Sequence, residues 1–151
     1  MTDDAETLRV RALTTLTTAR DRTTLLTSCV EDPDLTAQHS PLMSPLVWDL
    51  AHIGNQEELW LLRGVAGREA MRPEIDGLYD AFEHPRAERP KLPLLPPVEA
   101  RQYAAEVRGR VLDLLDRLHG RDLADGPSVP PHGKNLADDP LALPHGKDLR
   151  T

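Results

Sequence analysis

The chain has 151 residues, of which 39% are hydrophobic and 28% charged, and its formal net charge is −7. These values suit one soluble globular domain; the acidic balance argues against a general nucleic-acid-binding protein, and no apolar run is long enough to span a membrane. A polar, acidic N-terminus and a single cysteine argue against a secreted protein held by disulfides, so we expect a cytoplasmic location.

The first predicted element is an amphipathic helix over residues 5–29, a stretch without proline or glycine. Leu8, Ala12 and Leu16 recur on one helical face, although the many threonines lower the helix propensity of the segment. Cys29 follows an apolar stretch and has no basic neighbour. We therefore expect Cys29 to be a buried small hydrophobic residue and not a nucleophile.

A second helix is predicted over residues 44–63, after a loop that begins at Glu31. Ser44 followed by Pro45 is typical of an N-cap and first helical position. Gly54 lies inside this helix, where glycine costs about 1 kcal/mol relative to alanine. Its presence indicates a close packing contact or a site.

Residues 68–97 contain six prolines and little periodicity. A segment of this length without secondary structure is usually functional or disordered, and its aromatic residues favour an ordered excursion packed on the helices. Tyr79 and Asp80 could line a polar pocket; alternatively they cap a short helix, with Phe82 packed in the core.

The last part of the chain combines the most regular helix with a repeat. Apolar residues recur at three- and four-residue intervals over 97–119, which predicts a third helix. From residue 119 the sequence repeats every 13 residues, as HGRDLADGP at 119–127 and HGKNLADDP at 132–140. Two such copies cannot bury a shared core, so residues 119–151 are predicted to be a disordered tail.

The densest group of chemically useful side chains lies on the second helix: Asp49, His52, Gln56, Glu57 and Glu58. His52 could bind a metal through one imidazole nitrogen while Asp49 orients the other. Alternatively His52 is a hydrogen-bonded histidine at a helix–helix contact, because one histidine does not make a metal site.

Arg86 and Arg89 form a second candidate site. Two guanidinium groups so close in sequence suit the bidentate capture of a carboxylate on a small ligand, although they could equally pair with local acids on a solvated loop. The tail histidines at 119, 132 and 145 lack the ligand spacing of a helix, which makes a metal site there improbable.

The second helix and the proline-rich segment resemble a known family. Residues 38–60, QHSPLMSPLVWDLAHIGNQEELW, resemble the sulfoxide synthases of ergothioneine biosynthesis (EgtB), and the match continues through DGLYDAF at 76–82 and into the third helix. The resemblance covers about residues 5–118. It implies a DinB-like helical bundle, followed in the family by a larger second domain.

The resemblance also implies chemistry. Family members use iron(II) and oxygen to couple a thiol, γ-glutamylcysteine or cysteine, to the imidazole of hercynine, which gives a sulfoxide. By resemblance, His52 is the first of three iron-binding histidines, and Arg86 and Arg89 bind a carboxylate of the thiol substrate. Fe(II) is the cofactor that the family implies.

The sequence departs from the family in two ways. The other two iron ligands of the family form a His-x-x-x-His pair on a fourth helix, and no two of the six histidines here are four residues apart. The second catalytic domain also has no counterpart. A facial iron site needs three protein ligands, so we expect the chain to be inactive alone. The alternatives are a catalytically dead helical binding or oligomerisation module, or a truncated product without function.

The sequence thus predicts an all-α fold: an incomplete DinB-like up-down bundle of three main helices over residues 1–118, with the repetitive tail over 119–151. An absent fourth helix leaves the apolar faces of the second and third helices exposed. Such a patch favours self-association.

Overall fold

The computed structural model describes residues 2–117 of the chain, and within them all regular secondary structure is helical. Three long helices lie where the sequence predicts them, and a one-turn helix occupies part of the predicted loop before the second. The elements are α1 (Thr2–Ser28), α2 (Asp32–Thr36), α3 (Leu46–Glu57), a π-helix (Glu58–Val65) that continues α3, α4 (Pro97–Arg117), and 3₁₀ turns at Pro73–Ile75 and Arg89–Lys91. The all-α prediction is confirmed.

Two further predictions concern the C-terminal tail and the absence of a membrane-spanning helix. The disordered tail predicted for residues 119–151 lies outside the described residues, so that domain boundary stays a prediction. Among the described helices, none is long and apolar enough to cross a bilayer.

The core lies mainly between α3 and α4. Its largest fully buried side chains include Trp48 on α3, Tyr103 on α4, and Tyr79 from the proline-rich segment. The long α1 contributes no fully buried residue to this core, and Leu16 only packs against its edge. Four large apolar residues of α1 remain exposed, namely Leu8, Val10, Leu25 and Leu26.

Gly54 permits the close approach of α3 and α4. A Cβ atom at this position would lie 3.2 Å from the Cα of Ala104 and 3.3 Å from Cε1 of Tyr103. Such distances are tighter than ordinary packing and would force the helices apart. The packing reason predicted for this glycine is therefore confirmed.

Three local predictions are wrong. The second helix begins at Leu46 with Pro45 at the N-cap, so Ser44 lies one residue before the capping position, and its hydroxyl accepts a hydrogen bond from Arg89. Cys29 is exposed, and its thiol donates to the carbonyl of Leu25. Phe82 is 84% exposed: its N–H donates to the Asp80 carboxylate in a tight turn that directs the ring outward, and Tyr79 takes the core position instead.

Candidate functional site

The proline-rich segment is held against α3 by side chains that donate to its backbone carbonyls. Trp48 Nε1 donates to the carbonyl of Leu78, and Arg89 donates to the carbonyls of Ala81 and His84. Gln38 donates to the carbonyl of Arg86 and thereby joins the segment to the loop before α3. The ordered excursion predicted for this segment is confirmed, and these bonds place it beside His52.

His52 is half-buried on α3 and faces this segment. Its Nδ1 lies 2.7 Å from the backbone oxygen of Tyr79. Because a carbonyl can only accept, Nδ1 must carry the proton, and the lone pair of the neutral ring is then on Nε2. Histidines that bind metals commonly donate their other nitrogen to a carbonyl in this way. Tyr79, and not Asp49 as the sequence suggested, provides the orienting oxygen.

Trp48 contacts both His52 and Arg89. The indole and imidazole rings are stacked, with centroids 4.7 Å apart and planes inclined by 16°. The guanidinium carbon of Arg89 lies 3.7 Å from the indole centroid, which is the geometry of a cation–π contact. The three side chains therefore form one stack, which we call the Arg89–Trp48–His52 stack.

The two candidate arginines differ in environment. Arg89 is 6% exposed, and it donates to the Ser44 hydroxyl as well as to the two carbonyls already described. Burial and the neighbouring Arg86 lower the pKa of the Arg89 guanidinium, while the Asp49 carboxylate acts in the opposite direction. Arg86 is exposed. The structure brings the two arginines close enough for their charges to interact, and only Arg86 presents its side chain to solvent.

The acidic part of the predicted constellation serves other contacts. Glu58 is buried; it accepts from the Tyr103 hydroxyl at 2.6 Å and from the Met71 N–H at 2.7 Å. Burial, and then this bond, raise the pKa of the Tyr103 phenol. Gln56 accepts from the indole of Trp60. Of the five residues, His52 and Glu58 are bonded to the proline-rich segment, His52 at Tyr79 and Glu58 at Met71.

Glu57 is the centre of an ion network that the sequence did not reveal. One carboxylate oxygen lies 2.5 Å from Nε of Arg108, and the other lies 2.7 Å from both Nη2 of Arg108 and Nη2 of Arg20. Arg108 also donates to the carbonyl of Leu16. We call these residues the Arg20–Glu57–Arg108 triad. It joins α1, α3 and α4. Because its bonded members are 37 and 51 residues apart, no local motif could identify it.

The described residues do not form a complete iron site. His52 has the free ring nitrogen that an iron ligand needs, but no group of three or more histidine, cysteine, aspartate or glutamate side chains is arranged for metal binding within residues 2–117. The cavities agree with this result. Two cavities of about 450 Å³ lie in the described part of the chain, and neither is lined by His52, Arg86 or Arg89. The described residues therefore fit one ligand of such a site and not the whole.

Comparison with known proteins identifies the domain. The family model described as the DinB superfamily matches residues 15–141. A hercynine oxygenase from Mycolicibacterium smegmatis is 61% identical over 105 residues, which are 68% of this chain and 24% of that protein.

Two further relatives give the same result. The hercynine oxygenase of Mycolicibacterium thermoresistibile is 59% identical over 102 residues, 66% of this chain and 23% of that protein. That of Mycobacterium tuberculosis is 56% identical over 105 residues, 68% of this chain and 24% of that protein. The chain spans about a quarter of the length of these curated relatives. It belongs to the DinB superfamily, and its N-terminal two thirds correspond to the DinB-like domain of the hercynine oxygenases.

Proposed function

We propose that this chain is an iron-ligand-bearing domain of a sulfoxide synthase that joins a cysteinyl thiol to hercynine in an iron(II)- and oxygen-dependent reaction. The observation that carries the proposal is the geometry of His52, whose Nδ1–H donates to Tyr79 and whose Nε2 is left with a lone pair. The identity of 56–61% to hercynine oxygenases supports it. Iron(II), when bound, would supply the reactivity toward oxygen.

In this proposal the two arginines bind a carboxylate of the thiol substrate in different ways. Arg86 is exposed and offers its guanidinium directly. Arg89 is buried and uses three of its five N–H donors within the protein, and the proposal assigns the carboxylate to the other two. The thiol is γ-glutamylcysteine or cysteine.

The same proposal has the chain inactive alone, because the described residues offer one suitable histidine where a facial iron site needs three. This deficit also favours a second candidate function, a helical binding or oligomerisation module without catalysis. A cytoplasmic location is part of the proposal.

A chimeric enzyme tests the proposal. The matching 105 residues of the Mycolicibacterium smegmatis hercynine oxygenase are replaced by those of this chain, and sulfoxide formation is followed by mass spectrometry with iron(II), hercynine and either thiol. We expect an active chimera, activity reduced by at least about 100-fold in His52→Ala, and a raised KM for the thiol with a smaller change in kcat in Arg86→Ala.

The controls separate the two candidate functions. His39→Ala, which changes an exposed histidine on the loop before α3, is expected to leave the activity of the chimera unchanged. An inactive but folded chimera, or an active His52→Ala chimera, would contradict the catalytic proposal and favour the binding module. The 151-residue chain alone is expected to form no sulfoxide.

Self-association through the open part of the bundle stays a prediction. An apolar groove of about 450 Å³ lies between Leu8 and Leu16 of α1, Leu61 and Val65 of the π-helix, and Leu114 and Leu115 of α4. The patch predicted from the sequence lies on the second and third predicted helices alone, whereas α1 forms one wall of this groove. Sedimentation velocity of the whole chain checks the prediction: we expect a dimer that Leu8→Glu dissociates, and a monomer at all concentrations would refute it.

A further inference from the structure

The proposed function assigns no role to Trp48, the central residue of the Arg89–Trp48–His52 stack. Trp48 is 1% exposed, and it precedes His52 by four residues, so both rings leave the same face of the helix. Their N–H groups donate to consecutive carbonyls of the proline-rich segment, Trp48 to Leu78 at 3.3 Å and His52 to Tyr79 at 2.7 Å.

We propose that Trp48 is a positioning residue that holds the imidazole of His52 in a single orientation and in the Nδ1–H form. The inference deepens the proposed function and rests on it, since the nitrogen left free by this orientation is the one that would bind iron. The inference explains why Nε2 of His52 is held in one direction.

The hydrogen bond to Tyr79 selects which edge of the imidazole faces the segment, but one bond does not fix the plane of the ring. A ring that tilts about its bond to Cβ loses linear geometry at Nδ1, and the bond weakens steeply as it bends. The stacked indole at 4.7 Å limits this tilt, because the imidazole cannot rotate without meeting its face. The stack and the hydrogen bond together therefore define both the plane and the edge.

Trp48 can restrain His52 because Trp48 is itself restrained by two further contacts. Its N–H donates to the carbonyl of Leu78, and the Arg89 guanidinium lies over the indole ring at 3.7 Å. Arg89 is in turn fixed by Ser44 and by carbonyls of the proline-rich segment. The restraint on the imidazole thus comes from two chain segments that are distant in sequence.

Nitrogen NMR of the whole chain tests this without iron. The six histidines are labelled with ¹⁵N, the His52 signal is assigned by its loss in His52→Gln, and spectra are recorded at mildly alkaline pH. In the native chain we expect a protonated Nδ1, an unprotonated Nε2, and upfield-shifted ring protons from the indole ring current. A native chain with a protonated Nε2, or without the ring-current shift, overturns the proposal.

Two variants separate positioning from packing. Trp48→Phe keeps an aromatic face and is expected to retain the Nδ1–H form with a smaller upfield shift; loss of that form would mean that Trp48 acts through its bond to Leu78, against the proposed role of the stack. Trp48→Leu removes the stack and is expected to give a mixture of both tautomers. A folded Leu variant with a pure Nδ1–H form refutes the role of Trp48, and if that variant does not fold, the native and Phe spectra decide. A failed chimera with the expected spectra would contradict the proposed function alone.

Discussion

Replacement of Glu57 by glutamine is expected to lower the free energy of unfolding by about 3–5 kcal/mol, which is the usual cost of removing one partner from a buried ion network. Glu57 is the only carboxylate in the Arg20–Glu57–Arg108 triad, and its side chain is 7% exposed. Glutamine keeps the shape of the side chain, yet it removes the negative charge that two guanidinium groups share. Urea unfolding followed by circular dichroism measures the effect.

The two arginines have little alternative solvation. The side chains of Arg20 and Arg108 are 11% and 10% exposed, and Nε and Nη1 of Arg20 are buried with no hydrogen-bond partner among the described residues. Arg20 therefore depends on Glu57 for the bond that it makes there. Because α1 contributes no fully buried residue to the core, we expect the Gln variant to loosen α1 first, with lower amide protection in α1 than in α3.

A matched control and a compensating variant make the prediction specific. Glu106→Gln changes the same groups on the exposed face of α4 and is expected to alter stability by less than about 0.5 kcal/mol. Replacement of all three triad residues by leucine or methionine is expected to recover most of the stability, because no buried charge is then left unpaired. A loss below about 1 kcal/mol in Glu57→Gln would show that water solvates the arginines and that the triad is not a buried network.

The sequence predicts the helices well because helix formation follows local periodicity. The intervals of Val107 and Val111 predict α4, which begins at Pro97 as expected, and Gly54 predicts a close helix contact. The same local signals mislead at Ser44 and Phe82. Ser44 bonds to Arg89, which is 45 residues away in the sequence. Phe82 donates its N–H to Asp80, and although this turn is local, apolar periodicity does not encode it.

The candidate site is only partly readable from sequence for a related reason. His52 is identified by its place on a polar helix face, but the oxygen that orients it comes from the backbone of Tyr79, and a backbone carbonyl has no signature in the sequence. Carbonyls of the proline-rich segment accept from side chains on α3 and on the segment itself. Such bonds depend on the tertiary path of the chain, which periodicity does not determine.

Replacement of Arg89 by alanine is expected to cost about 3 kcal/mol of stability, whereas Arg86→Ala is expected to cost less than about 0.5 kcal/mol. Arg89 loses three hydrogen bonds from a buried cation and the contact with the face of Trp48. Arg86 is exposed, so its side chain can be removed without uncovering the core. Urea unfolding of both variants, together with the tryptophan emission maximum, checks this difference.

The comparison of the two arginines decides how a carboxylate could be bound at this site. If Arg89 is fixed as the structure shows, Arg89→Lys fails to restore stability, because a lysine cannot reach Ser44 and two carbonyls with one ammonium group while covering the indole. Equal losses for Arg86→Ala and Arg89→Ala, or full rescue by lysine, would contradict this assignment. If Arg89 is the structural arginine and Arg86 the exposed one, a raised KM for the thiol in Arg86→Ala reports on ligand contact alone. That variant leaves the Arg89–Trp48–His52 stack and the fold intact.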